Sequence, residues 1–116
     1  MKASAPKLLL SVFLLALALA ASAHAEFRGA WISSVHNLDW PSKKGLPAAQ
    51  QKAELVRMLD SAKSLGLTDV FFQVRPEGDA LYRSSLEPWS RFLTGTQGKD
   101  PGYDPLAFCI SEAGVS

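Results

Sequence analysis

A single cysteine, Cys109, stands in the 116 residues, so the chain can form no internal disulfide. A lone thiol in an oxidising compartment is safest buried, and Cys109 falls on the apolar face of a helical pattern. Histidine is almost as scarce. His36 pairs with Asp39 at H-x-x-D spacing, which is two ligands where a zinc site takes three or four, so no metal site is expected. An excess of one charge is missing too: 12 basic and 11 acidic side chains leave a formal +1. That balance argues against nucleic-acid binding, which runs on clustered Lys and Arg. The sequence also lacks a G-x-S-x-G elbow, a G-x-x-x-x-G-K-[ST] loop and a G-x-G-x-x-G fingerprint, which removes the support for three common chemistries.

No apolar run is long enough to stay in a membrane. The longest, Leu8 to Ala21, has 14 residues and as a helix spans roughly 21 Å against a bilayer core of about 30 Å. With Lys2 and Lys7 before it and Ala23-His24-Ala25 after it, the segment has the n-, h- and c-region order of a secretory signal peptide. Residues 1–25 are therefore expected to be a leader, and residues 26–116 the mature domain. That domain would be exported to the periplasm or beyond, without a stable membrane anchor. The residue directly after the cleavage point is Glu26, not a cysteine that could accept a lipid. The mature part has 10 basic and 11 acidic side chains.

What is present after residue 25 is an alternation of strand and helix signals. Residues 27–35, FRGAWISSV, read as a buried strand. Ala48 to Leu65 reads as a helix, with Leu55, Leu59 and Ala62 at 3–4 spacing, Pro47 at its first position and Gly66 as its left-handed cap. Residues 68–75, TDVFFQVR, read as a parallel strand covered on both faces. Residues 76–103 form a connection of a length that is usually functional. A last helix starts at Asp104 as N-cap and Pro105 at N1, with Leu106, Cys109, Ile110 and Ala113 on one face. The order β-α-β-α predicts an α/β fold with a parallel sheet.

Ligands in such folds bind at the carboxyl ends of the strands. Two polar segments fall there, His36 to Trp40 and Gln73 to Asp79. The candidate substrate-binding residues are Asn37, Asp39, Trp40, Gln73, Arg75, Glu77 and Asp79, joined by Tyr82 and Trp89 from the long connection. Carboxylates, amides and arginine interleaved with aromatics suit a sugar, whose ring has apolar C–H faces and a polar edge. Each residue also has a plainer reading. Trp31, mid-strand, belongs in the core; Trp40 and Trp89, beside prolines, are equally loop anchors; Arg75 is equally a brace for Glu77 or Asp79.

The motifs R-G-A-W, N-x-D-W-P, F-Q-V-R-P-E-x-D-A-L-Y, E-P-W-S and L-T-G-T-Q-G-x-D-P-G-Y-D-P-L resemble the amino-terminal part of the glycosyl hydrolase-like 10 family. These are exported bacterial proteins, and the likeness runs over nearly all of residues 26–113. The resemblance implies a (β/α)8 TIM-type barrel acting on cell-envelope or extracellular polysaccharide without a cofactor, of which about two β/α units are present here. It implies that the catalytic acids lie on later strands, beyond Ser116, and that the acids present are cleft residues. Two other outcomes stay open: a non-catalytic glycan-binding protein, and a truncated chain with no activity of its own.

Overall fold

The structure, a computed structural model, describes residues 26–114; the expected leader over residues 1–25 lies outside the described residues. The elements run β1 (Gly29–Ile32), a 3₁₀ turn (Val35–Asn37), α1 (Ala48–Ser64), β2 (Asp69–Phe72), α2 (Arg91–Thr94) and α3 (Pro105–Glu112). β1 and β2 pair in parallel, with Gly29 opposite Asp69 and Ile32 opposite Phe72. The β-α-β unit expected from the alternation is present.

Both strands are shorter than their apolar runs. β1 stops at Ile32 because the Ser33 carbonyl accepts the Asp39 and Trp40 N–H groups at 3.0 and 3.2 Å, which turns the chain. Beyond β2, Gln73 N–H still donates to the Ile32 carbonyl, but the Val74 carbonyl accepts from Leu81 in the following loop. The backbone partners that would extend the ladder are taken by the connection.

Helix α1 ends as its sequence predicts. Gly66 has φ +76°, Gly66 N–H donates to the Lys63 carbonyl and Leu67 N–H to the Ala62 carbonyl, which is a Schellman closure. At the other end Pro47 is the N-cap rather than the first helical residue. Its ψ of 149° is extended, while its carbonyl accepts the first helical N–H groups, from Gln50 and Gln51. Helix α3 has Asp104 as N-cap, Oδ1 accepting the Ala107 N–H at 2.9 Å, and Pro105 at N1. Its buried row is Pro105 and Cys109, one turn apart, whereas Ile110 and Ala113 of the expected row lie exposed. Burial pushes the Cys109 thiol pKa up.

The core joins Ile32 of β1 and Leu55 of α1 to Trp40, Leu81, Leu93, Tyr103 and Cys109, with Val70, Phe72 and Val74 packed against it. Three of those buried residues come from the connection over 76–103. That segment is folded: it contains α2 and a bridge between Ala80 and Trp89. The two-stranded sheet is covered on one face only. Trp31, expected in the core, is 61% exposed, and Phe71 beside it is 47% exposed. Alternation along a strand sends Val70 and Phe72 to the core and Phe71 to the opposite side. On that side Trp31 and Phe71 stack, ring centroids 6.5 Å apart at 21°. A Cβ on Gly29 would lie 2.8 Å from the Phe71 ring, so the glycine makes room for the aromatic.

Candidate functional site

The carboxyl ends of β1 and β2 are locked to each other by one side chain. Gln73 Oε1 accepts from Ser34 N–H at 2.8 Å, Val35 N–H at 2.9 Å and Ser33 Oγ at 3.1 Å. Ser34 Oγ returns a bond to the Gln73 carbonyl at 2.6 Å. Asp39 closes the same turn, its Oδ2 accepting the Ser33 N–H at 2.7 Å. The chain then passes through two left-handed residues, His36 (φ 53°) and Asn37 (φ 52°). Asn37 stabilises that geometry by donating from Nδ2 to the carbonyls of Pro41 at 2.9 Å and Phe92 at 3.0 Å. The first polar segment is thereby fastened to α2.

Beneath this rim lies a buried polar hub. Trp40 is wholly buried, its Nε1–H donating to the Gln51 carbonyl at 2.8 Å and its ring edge-on to Phe72 at 5.4 Å. Gln51 Nε2 donates to the Leu46 and Leu93 carbonyls at 2.8 and 2.9 Å, and its Oε1 accepts the Tyr103 hydroxyl at 2.7 Å. The apolar spacing of Leu55, Leu59 and Ala62 in α1 does not single out Gln51. The available signal was its position, one turn before Leu55 on the apolar stripe.

The second rim carries the ion pairs. Arg91 grips Glu77 with two bonds, Nε to Oε2 at 3.0 Å and Nη2 to Oε1 at 2.8 Å. That fork lowers the Glu77 pKa, the Arg91 hydrogen bond first and the charges of Arg91 and His36 adding less, against some desolvation. Arg75 does act as a brace, but toward Glu87, at 2.9 Å. Glu77 is occupied by Arg91, and Asp79 has turned inward. Asp79 has no exposed surface; Oδ1 accepts the Glu77 N–H at 3.2 Å, while Oδ2 has no partner among the described residues. Tyr82 and Trp89 are half-buried, and Trp89 packs against the core.

The nine candidate residues therefore divide by placement. Arg75, Glu77 and Asp39 are exposed, Asn37, Gln73, Tyr82 and Trp89 half-buried, and Trp40 and Asp79 interior. Asn37, Asp39 and Gln73 each bond backbone groups through one polar side-chain atom, so they shape the rim. Arg75 and Glu77 face solvent with charge. His36 sets its ring edge against Phe92, centroids 5.6 Å apart. Among the described residues no three His, Cys, Asp or Glu side chains converge as a metal site would require.

Comparison with known proteins agrees with the motifs. The family model described as Glycosyl hydrolase-like 10 matches residues 26–115. Glycosyl hydrolase YngK of Bacillus subtilis is 49% identical over 107 residues, 90% of this chain and 21% of the relative. Glycosyl hydrolase DigH of Escherichia coli K12 is 43% identical over 93 residues, 74% of this chain and 21% of the relative. The chain spans about a fifth of the length of these relatives.

Proposed function

Because this chain belongs to the glycosyl hydrolase-like 10 family, we propose that it forms the amino-terminal part of an exported enzyme that hydrolyses glycosidic bonds in cell-envelope or extracellular polysaccharide. Two parallel strands with helices on one face fit the first two units of a (β/α)8 barrel. In such a barrel the carboxyl ends of the strands line the substrate cleft. Gln73 supports this reading most directly, because it joins two strand ends into one rigid polar rim. On that rim Arg75 and Glu77 offer charge and hydrogen bonds to hydroxyls, and Tyr82 and Trp89 offer partly open aromatic surface.

In this reading the carboxylates here hold and orient glycan, and Glu77 is not the proton donor. A glycosidase acid must keep its proton near neutral pH, which requires a raised pKa. Glu77 is shifted the other way by Arg91. Its role is that of an ionised acceptor for sugar hydroxyls. The proton donor and its partner carboxylate belong to other strands of the barrel.

The test is release of new reducing ends from a panel of bacterial polysaccharides by the intact protein. Arg75→Ala should lower turnover roughly tenfold or more through lost positioning, with the melting temperature nearly unchanged because Arg75 is exposed. An intact protein that binds glycan yet releases no reducing ends would establish the non-catalytic binding reading instead.

A further inference from the structure

A recess opens beside this rim, formed by the turn after β1 and the start of α2. It is an open recess of about 400 Å³ lined by His36, Asn37, Ser42, Lys43, Lys44, Arg91 and Phe92. Such a volume falls within the roughly 300–1,000 Å³ of small-molecule sites. Its walls are fixed. Asn37 Nδ2 holds the turn to the Phe92 carbonyl, and Gly45 N–H donates to the Leu93 carbonyl at 3.0 Å, so the segment carrying both lysines is fastened at each end.

Its charge is uncompensated. Arg91 is committed twice, to Glu77 by its fork and to the Phe92 ring, 4.7 Å from its guanidinium. Of the neighbouring carboxylates, Glu77 is taken by Arg91, and Glu54 accepts the Ser42 N–H at 3.0 Å. Neither Lys43 nor Lys44 forms an ion pair among the described residues. Residues 26–116 have slightly more acids than bases, so two unpaired ammonium groups around one recess are a local departure from the surface at large.

We propose that this recess is a subsite for a sugar carrying a negatively charged substituent, with Lys43 and Lys44 meeting the anion and the exposed His36, backed by the buried Phe92, meeting the ring. The inference rests on the glycan-binding reading of the rim and narrows it to acidic glycans. Two ammonium groups act as point charges and take a carboxylate or a phosphoryl group alike. Asn37 sets the geometry of the recess without touching the ligand.

Titration calorimetry on the intact protein at low salt tests the proposal, with trigalacturonate and its carboxyl-reduced, neutral counterpart as probes. The acidic trisaccharide should bind roughly tenfold more tightly than the neutral one, the size of effect expected of charge-assisted hydrogen bonds. The double variant Lys43→Gln/Lys44→Gln should lose that preference and keep the wild-type melting temperature, since both side chains are exposed. Equal binding of the two probes by the wild type, or a preference that survives in the double variant, overturns the proposal. Inorganic phosphate that binds the recess as tightly as trigalacturonate would make it a free-anion site and also overturns the sugar assignment. The hydrolase reading fails separately: a protein that retains the charge preference but releases no reducing ends refutes hydrolysis and leaves the subsite standing.

Discussion

The connection over residues 76–103 and the outward face of the two-stranded sheet invert what their compositions suggest. The connection is polar, yet it supplies Leu81, Leu93 and Tyr103 to the core and wholly buries Asp79 and Ser90. The sheet face is aromatic, yet Phe27, Trp31 and Phe71 stand exposed. Hydrogen bonding explains the difference. A polar segment can be interior when its donors and acceptors are largely matched, as Gln51 matches Leu46, Leu93 and Tyr103, with Asp79 Oδ2 the exception among the described residues. An apolar face is interior only when something covers it. In the proposed barrel, Trp31 and Phe71 would face the barrel interior.

The comparison breaks most readily at the connection. Leu93→Ala removes a wholly buried side chain and should cost about 2–5 kcal/mol in chemical denaturation of the intact protein. A cost below that of a surface substitution would show that the loop does not belong to the core. Gln51→Leu should cost about 3 kcal/mol, because two carbonyls and a phenol lose their partner at once. Tyr103→Phe removes a single bond and should cost about 1 kcal/mol.

The same tyrosine gives a pH signature. Burial, with the charge of Glu54 adding, raises its pKa above the ordinary phenol value. The folded chain then holds a proton that the unfolded chain releases, so stability is level below about pH 10 and falls as pH rises beyond it. Tyr103→Phe should flatten that alkaline limb, as followed by melting temperature against pH. The aromatic face gives the smallest effect on fold energy but a clear one on association. Residues 26–116 produced alone should self-associate in sedimentation, and Trp31→Ser/Phe71→Ser should reduce it. A monomer with a sharp, reversible melt would show that the face needs no cover.

Much of this was legible in the residues. The periodicity of α1, the Gly66 closure and the Asp104-Pro105 start of α3 are local, and local signals survive into the fold. The order of strands and helices gave the parallel pairing. The side a residue takes in a short strand was less accessible, because Trp31 and Ile32 are both apolar and only the partner layer separates them. Ion-pair choice was also hidden. Arg75 has Glu77 two positions away in sequence, but folding delivers Glu87 to it and Arg91 to Glu77. Trp40 reads equally well as rim or loop anchor and Asp79 as a cleft residue, but tertiary packing places both inside.

The Gln73 carboxamide also bears on motion. One oxygen gathers two backbone amides and a hydroxyl from the neighbouring strand's exit turn, so the two exits cannot swing independently. They behave as a single plate, and opening it means breaking several bonds together. In the proposed barrel, any closure on a substrate would then come from other strand ends, with this one as the fixed anvil.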